Sequence, residues 1–307
     1  MKAIVCIKSG PPDVLELKEV EKPVPRDNEV LVKVHASTVT IGDAIIRNIP
    51  RLILLPVGLL FGFKSKKITG HEFAGVVEAM GKEVKLFKEG DEVYGTTTGL
   101  SGGGNAEYVC VPEEWKMGVV AKKPAAMTFE EAAAVPIGGM TALQILKKGN
   151  IRPGQKVLVY GASGSVGTYA VQLAKSYGAE VTGVCSTTNL EMVRSLGAET
   201  VIDYTKEDFT RNGEKYDVIF DAVRKIRSSR CKGSLKESGC FLSSRTPTKE
   251  LTEYLKSLIE LIEERKIKAV IDRRYPLEQT AEAHRYVDKG HKKGNVVITL
   301  EALCSRN

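Results

Sequence analysis

The chain has 307 residues, too many for one small core and enough for two domains of ordinary size. It is 42% hydrophobic and 27% charged with 29 glycines, which excludes a disordered or fibrous chain and fits a globular α/β protein. The net charge of +7 is spread along the sequence among 38 acidic residues, a pattern of a solvated basic surface rather than a nucleic-acid-binding one, and its field would favour an anionic cofactor.

From the N-terminus, KAIVCI (2–7) alternates like a strand and lacks the apolar core of a secretory signal. Further strands are expected over Val14–Val20, Glu29–His35, Gly75–Glu78 and Asp91–Tyr94, so the first 120 or so residues read as a β-rich domain. The most apolar stretch, Leu52–Phe63, is broken by Pro56, Gly58 and Gly62 and is too short to span a bilayer, so no membrane partner is expected. Lys64, Lys66 and Lys67 behind it read as the only tight basic cluster, a loop in water. Six cysteines without a C-x-x-C pair read as free thiols, and cytoplasmic residence follows as the default.

The period changes at Thr128. A helix is expected over Phe129–Lys148, then an apolar strand KVLVY (156–160). Helices over Val166–Tyr177 and Leu190–Leu196 alternate with strands over Glu180–Val184, Thr200–Ile202 and Tyr216–Val223, the pattern of a doubly wound parallel sheet. After a helix over Glu250–Arg265 come a strand at Lys268–Ile271, a helix at Gln279–Asp288 and a strand at Asn295–Leu300.

Between the strand ending at Tyr160 and the next helix stands Gly161-Ala162-Ser163-Gly164-Ser165-Val166-Gly167. Glycines there let the chain turn tightly and let a pyrophosphate approach the N–H groups at the positive end of the helix. The spacing G-x-x-G-x-x-G is weak alone; strand, loop and helix in that order make it a dinucleotide site. Roughly twenty residues on, where a carboxylate would bind an NADH ribose, the chain reads Val184-Cys185-Ser186-Thr187-Thr188-Asn189. No acid lies in this turn, and Ser186, Thr187 and Asn189 can donate to a 2′-phosphate, which favours NADPH although no Arg or Lys is adjacent.

ASTVTIGD, GHEFAGVVEAMGKEVKLFKEGDEVYG, EEAAAVPIGGMTAL, VLVYGASGSVGTYAVQLAKSYGAEV and YPLEQTAEAHRYVDKG together resemble the zinc-independent, quinone oxidoreductase-like branch of the medium-chain dehydrogenase/reductase superfamily. The resemblance covers almost the whole chain. It implies a β-rich GroES-like catalytic domain (1–125, completed by 267–307), interrupted by a Rossmann-type dinucleotide-binding domain (126–266). It also implies an active site in the cleft between them, a homodimer, and NADPH-dependent hydride transfer to an apolar quinone-like substrate, an enone or a related activated alkene or carbonyl.

Where zinc alcohol dehydrogenases of the superfamily place three metal ligands, this chain offers Thr40, His71 and, approximately, Ile137, so no metal is expected and His71 reads as a packed, hydrogen-bonded residue. The resemblance places Thr40 and Asp43 beside the nicotinamide, as substrate donor and orienter, or else as a satisfied loop threonine and a turn aspartate. It places Thr141 near the nicotinamide ribose and Tyr204 near the adenosine. The apolar stretch Ile45–Phe63 is either a pocket wall or a core helix pair. Two departures stand out: Arg224 replaces a usual Gly after YDVIFDAV, and the segment after Ser243 lacks the length for a sixth parallel strand. The rival readings are a dinucleotide-binding sensor with little catalysis and, against the ligand count, a zinc alcohol dehydrogenase.

Overall fold

Alternating apolar residues make the early strands, and turn residues end them. The computed structural model describes residues 1–50, 68–97, 102–115 and 118–300. The early strands are β1 (Lys2–Cys6), β2 (Leu15–Glu19), β3 (Glu29–Val39), β4 (Glu72–Met80), β5 (Glu92–Thr96), β6 (Tyr108–Pro112) and β7 (Val120–Lys122). A second series follows: β8 (Lys156–Tyr160), β9 (Glu180–Cys185), β10 (Thr200–Asp203), β11 (Tyr216–Asp221) and β12 (Leu235–Ser243). The last two are β13 (Ile271–Pro276) and β14 (Asn295–Thr299).

The chain forms two compact units, one of Met1–Pro136, Glu250–Lys256 and Ile271–Asn307, the other of Ile137–Lys249 and Ser257–Val270. In the first unit β1 and β2 form an antiparallel ribbon, while a seven-stranded sheet runs β13-β14-β3-β4-β5-β7 with β6 also on β3. Val30, Val32 and Val34 of β3 bury one face against Phe73, Val77, Val93, Val109 and Val111. The C-terminal strand is integral to this sheet: Val296 pairs with Val39 and Thr299 with Ala36, and Val296 and Ile298 share a core with Val39.

The second unit is an all-parallel sheet ordered β10-β9-β8-β11-β12, the doubly wound pattern, which reverses direction between β8 and β11. Its core sets Leu158, Val184, Ile202 and Ile219 against Phe209, Tyr216 and Cys231. Among the described residues β12 pairs only with β11, so the sheet has five strands and β12 is an edge, as the short segment after it predicts.

The helices are α1 (Ile41–Asn48), α2 (Phe129–Ala133), α3 (Pro136–Lys147), α4 (Ser165–Ser176), α5 (Leu190–Ser195), α6 (Ser228–Cys231), α7 (Thr252–Glu263) and α8 (Thr280–Asp288). The single helix expected over 129–148 is two, because Pro136 cannot donate into a preceding turn and instead starts α3. The strand expected at Lys268–Ile271 lies later, at Ile271–Pro276, because the Lys268 backbone is held by Gln172: its N–H donates to Oε1 at 2.9 Å and its C=O accepts from Nε2 at 3.1 Å. Ile45–Asn48 of the apolar stretch belong to α1; Leu52–Phe63 and the Lys64, Lys66, Lys67 cluster lie outside the described residues.

Candidate functional site

The glycine turn joins β8 to α4 in the second unit. Gly161 sits at φ +80°, a left-handed conformation, and its N–H and that of Ala162 both donate to the Val184 carbonyl at 3.0 Å. A side chain at Gly167 would lie 2.0 Å from the Gly161 oxygen, so the helix can approach the turn only without one. Gly164 is the N-cap of α4 and supplies no side-chain cap, which leaves the first-turn N–H groups of Ser165, Val166 and Gly167 directed out of the helix end. Such a helix end is suited to a pyrophosphate. Ser163 adjoins it, its hydroxyl accepting from the Asn189 amide at 3.1 Å.

The end of β9 lies beside this turn. The Asn189 amide also donates to Ser186 Oγ at 3.1 Å, which ties Ser163, Ser186 and Asn189 together. Tyr204 is 48% exposed, with its ring 6.4 Å from that of Tyr160, and follows β10 directly. One carboxylate escaped the sequence reading. Asp203, the last residue of β10, accepts from Thr187 Oγ1 at 2.5 Å and from Thr205 Oγ1 at 2.7 Å, and these bonds hold its carboxyl below the ordinary value. Local sequence hid it because β10 returns alongside β9 in parallel register, with Asp203 opposite Cys185. Thr187 therefore directs its proton to Asp203 rather than outward. Thr141 is half-buried on α3.

In the first unit Thr40 caps α1 and Asp43 completes a capping box. The Thr40 hydroxyl donates to Asp43 Oδ2 at 2.5 Å and accepts from the Asp43 N–H at 3.1 Å, while the Thr40 N–H donates to Oδ2 at 2.7 Å. The other carboxylate oxygen lies 2.5 Å from His71 Nδ1. Burial opposes charge on Asp43, but the His71 charge and hydrogen bond prevail and lower its pKa to about 2. Burial likewise opposes a proton on His71, and the Asp43 charge and hydrogen bond override it, so the His71 pKa is raised.

Two further carboxylates stand nearby: Glu72, which accepts from the Thr38 hydroxyl, and Glu250, which accepts from Thr96 and whose pKa burial raises. One turn further along α1 from Asp43, Arg47 is 4% exposed and bridges the Gly10 carbonyl (2.9 Å), His284 Nδ1 (2.8 Å) and Asp288 Oδ2 (2.7 Å). Glu250, Arg47 and His284 were not foreseen: Glu250 and His284 come from segments distant in sequence, and Arg47 meets its partners only once such a segment folds back on α1. Among the described residues no group of three or more His, Cys, Asp or Glu is placed to hold a metal ion. His71 keeps company with carboxylates already satisfied by hydroxyls, and neither Thr40 nor Ile137 offers a thiolate, so these residues do not fit a catalytic zinc.

A parallel sheet whose strand order reverses at a glycine turn, in a chain that also folds a β-rich unit, has the architecture on which dinucleotide-binding folds are built. Residues 26–125 match the model of the alcohol dehydrogenase GroES-like domain and residues 227–298 that of a zinc-binding dehydrogenase. Over 97% of this chain and 79% of theirs, it is 35% identical both to a 2-methylene-furan-3-one reductase of Solanum lycopersicum and to a chloroplastic NADPH-dependent alkenal/one oxidoreductase of Arabidopsis thaliana. The solved quinone oxidoreductase of Coxiella burnetii superposes with a TM-score of 0.82 at 28% identity, covering 98% of this chain and 99% of that one. The chain belongs to the medium-chain dehydrogenase/reductase superfamily, in its quinone oxidoreductase-like branch.

Proposed function

We propose that the protein is an NADPH-dependent oxidoreductase that reduces a quinone, an enone or a related activated alkene or carbonyl without a metal. In this reading the parallel-sheet unit binds the dinucleotide and the β-rich unit carries the catalytic residues. The observation that carries it is the uncapped start of α4 behind Gly161, Gly164 and Gly167, built to receive a pyrophosphate. The names of the relatives support the reaction class. When bound, the reduced nicotinamide supplies the hydride. Ser186, Asn189 and Tyr204 hold the adenosine end, and Thr141 the nicotinamide end.

Thr40 donates to the substrate oxygen after its hydroxyl turns away from Asp43, which keeps the Thr40 N–H and His71 as partners. Asp43, fixed by His71, orients it. Among the described residues no helix is long and apolar enough to cross a membrane. Cytoplasmic residence and a homodimer, altered or loosened by the short segment after Ser244, complete the reading. The test is a spectrophotometric screen of NADPH and NADH oxidation over quinones, enones and aldehydes, with metal analysis of the same sample. Turnover with NADPH at far less than one zinc per chain is expected. Absence of turnover on every acceptor would favour a dinucleotide-binding sensor, and stoichiometric zinc lost together with activity would overturn metal independence.

A further inference from the structure

The sequence reading overlooked a second cationic segment. Between Ala222 and Glu237 stand Arg224, Lys225, Arg227, Arg230, Lys232 and Lys236 with no acidic residue among them. Arg230 is paired with Asp208 at 2.9 Å and Lys236 with Asp217 at 2.7 Å. Arg224 is different. It follows β11, at the carboxyl ends of the strands where doubly wound sheets bind their ligands, and its neighbour Val223 lies over Gly161 of the glycine turn.

The loop is firmly built. Asp221, fully buried, accepts the N–H groups of Val223, Lys225 and Ile226, each at 3.2 Å, and this sets Arg224 at φ +60°. The Arg224 side chain donates from Nε to the Ser244 carbonyl at 3.1 Å, and the Arg245 guanidinium donates to the Arg224 carbonyl. Each arginine is thus tethered by the other's strand end, and both are exposed. Neither has a carboxylate partner among the described residues, since Asp221 serves the backbone. With their anchors on neighbouring strand ends, the two guanidinium groups keep N–H donors to spare, and a bidentate anion suits such donors.

We propose that Arg224 and Arg245 form an anion subsite that selects acceptors bearing a carboxylate or phosphate away from the reacting double bond. This rests on the reductase reading above and names its substrate class. The same anion chemistry occurs in the cofactor's pyrophosphate, so the test separates the two sources. Steady-state rates are compared for 4-phenylbut-3-en-2-one and its para-carboxylate, in the parent and in Arg224→Gly, Arg245→Gln and the double variant. Glycine suits φ +60° and glutamine an exposed position, so the variants should fold.

The expected result is a kcat/KM ratio that favours the carboxylate in the parent, falls about tenfold in the double variant and falls in the parent as ionic strength rises. An unchanged ratio overturns the subsite. A raised NADPH KM with an unchanged ratio assigns the arginines to the cofactor and overturns it as well. If neither ketone is reduced, the proposed reaction fails, and calorimetric binding of the carboxylate ketone to the full chain decides the subsite. Binding about tenfold weaker in the double variant supports it, and equal binding refutes it.

Discussion

Thr40 joins two roles in one side chain, because the hydroxyl that caps α1 is also the group proposed to meet the substrate oxygen. Thr40→Val should therefore cost about 1 kcal/mol of stability from the lost cap. It should also lower kcat while NADPH KM stays nearly constant. Thr40→Ser should restore both, and a Val variant with unaltered kcat would remove Thr40 from the mechanism. At the cofactor end, Ser186→Asp should shift preference from NADPH toward NADH, since a second carboxylate would join Asp203 against the 2′-phosphate. Selectivity that does not move would place the phosphate elsewhere. These residues were legible to different degrees. Gly161 and Gly167 could be read from spacing because their backbone geometry admits little else, whereas Asp203 could not, since its proximity to Thr187 exists only once β9 and β10 pair.

At the scale of elements, α1 and α8 are joined through the buried Arg47 and His284 and the exposed Asp288. Burial, aided by the Arg47 charge and opposed by Asp43, depresses the His284 pKa from 6.5 to about 4. The unfolded chain thus binds the proton more readily, so the stabilising contribution is complete above pH 6.5 and lost as pH falls toward 4, on the order of 3 kcal/mol. His71 acts oppositely: its raised pKa gives a contribution that is full below pH 6.5 and lost as pH rises through the folded value. Urea denaturation at several pH values should show an acid-side loss that His284→Gln flattens; parallel profiles would show that His284 does not titrate this way. The glycine turn gives a sharper expectation. Gly167→Ala, with its new carbon 2.0 Å from the Gly161 oxygen, should abolish the rise in Tm that NADPH produces in the parent, and a retained shift would contradict the packing. None of the α1–α8 network was readable, because it joins positions 47 and 284, whereas the break at Pro136 could have been read from that one residue.

At the scale of the whole molecule, the parallel sheet ends on β12, whose outer N–H and C=O groups have no strand beside them among the described residues. An edge carrying Cys240, Phe241 and Leu242 invites pairing without fixing one partner. The average mass by light scattering should rise with protein concentration; a constant dimer mass down to the lowest concentration would oppose this. The order of the seven-stranded sheet has a different consequence, one for biosynthesis. β14 lies between β13 and β3, so Ala36–Val39, the end of β3 that β6 does not cover, keeps one flank bare until residues 295–299 have left the ribosome. The β-rich unit begins first and finishes last, and the parallel-sheet unit, whose own strands all lie between 156 and 243, can close while its elder neighbour still waits. Nascent chains halted before position 295 should accordingly be cleaved by protease within 36–39 and spared within 156–243.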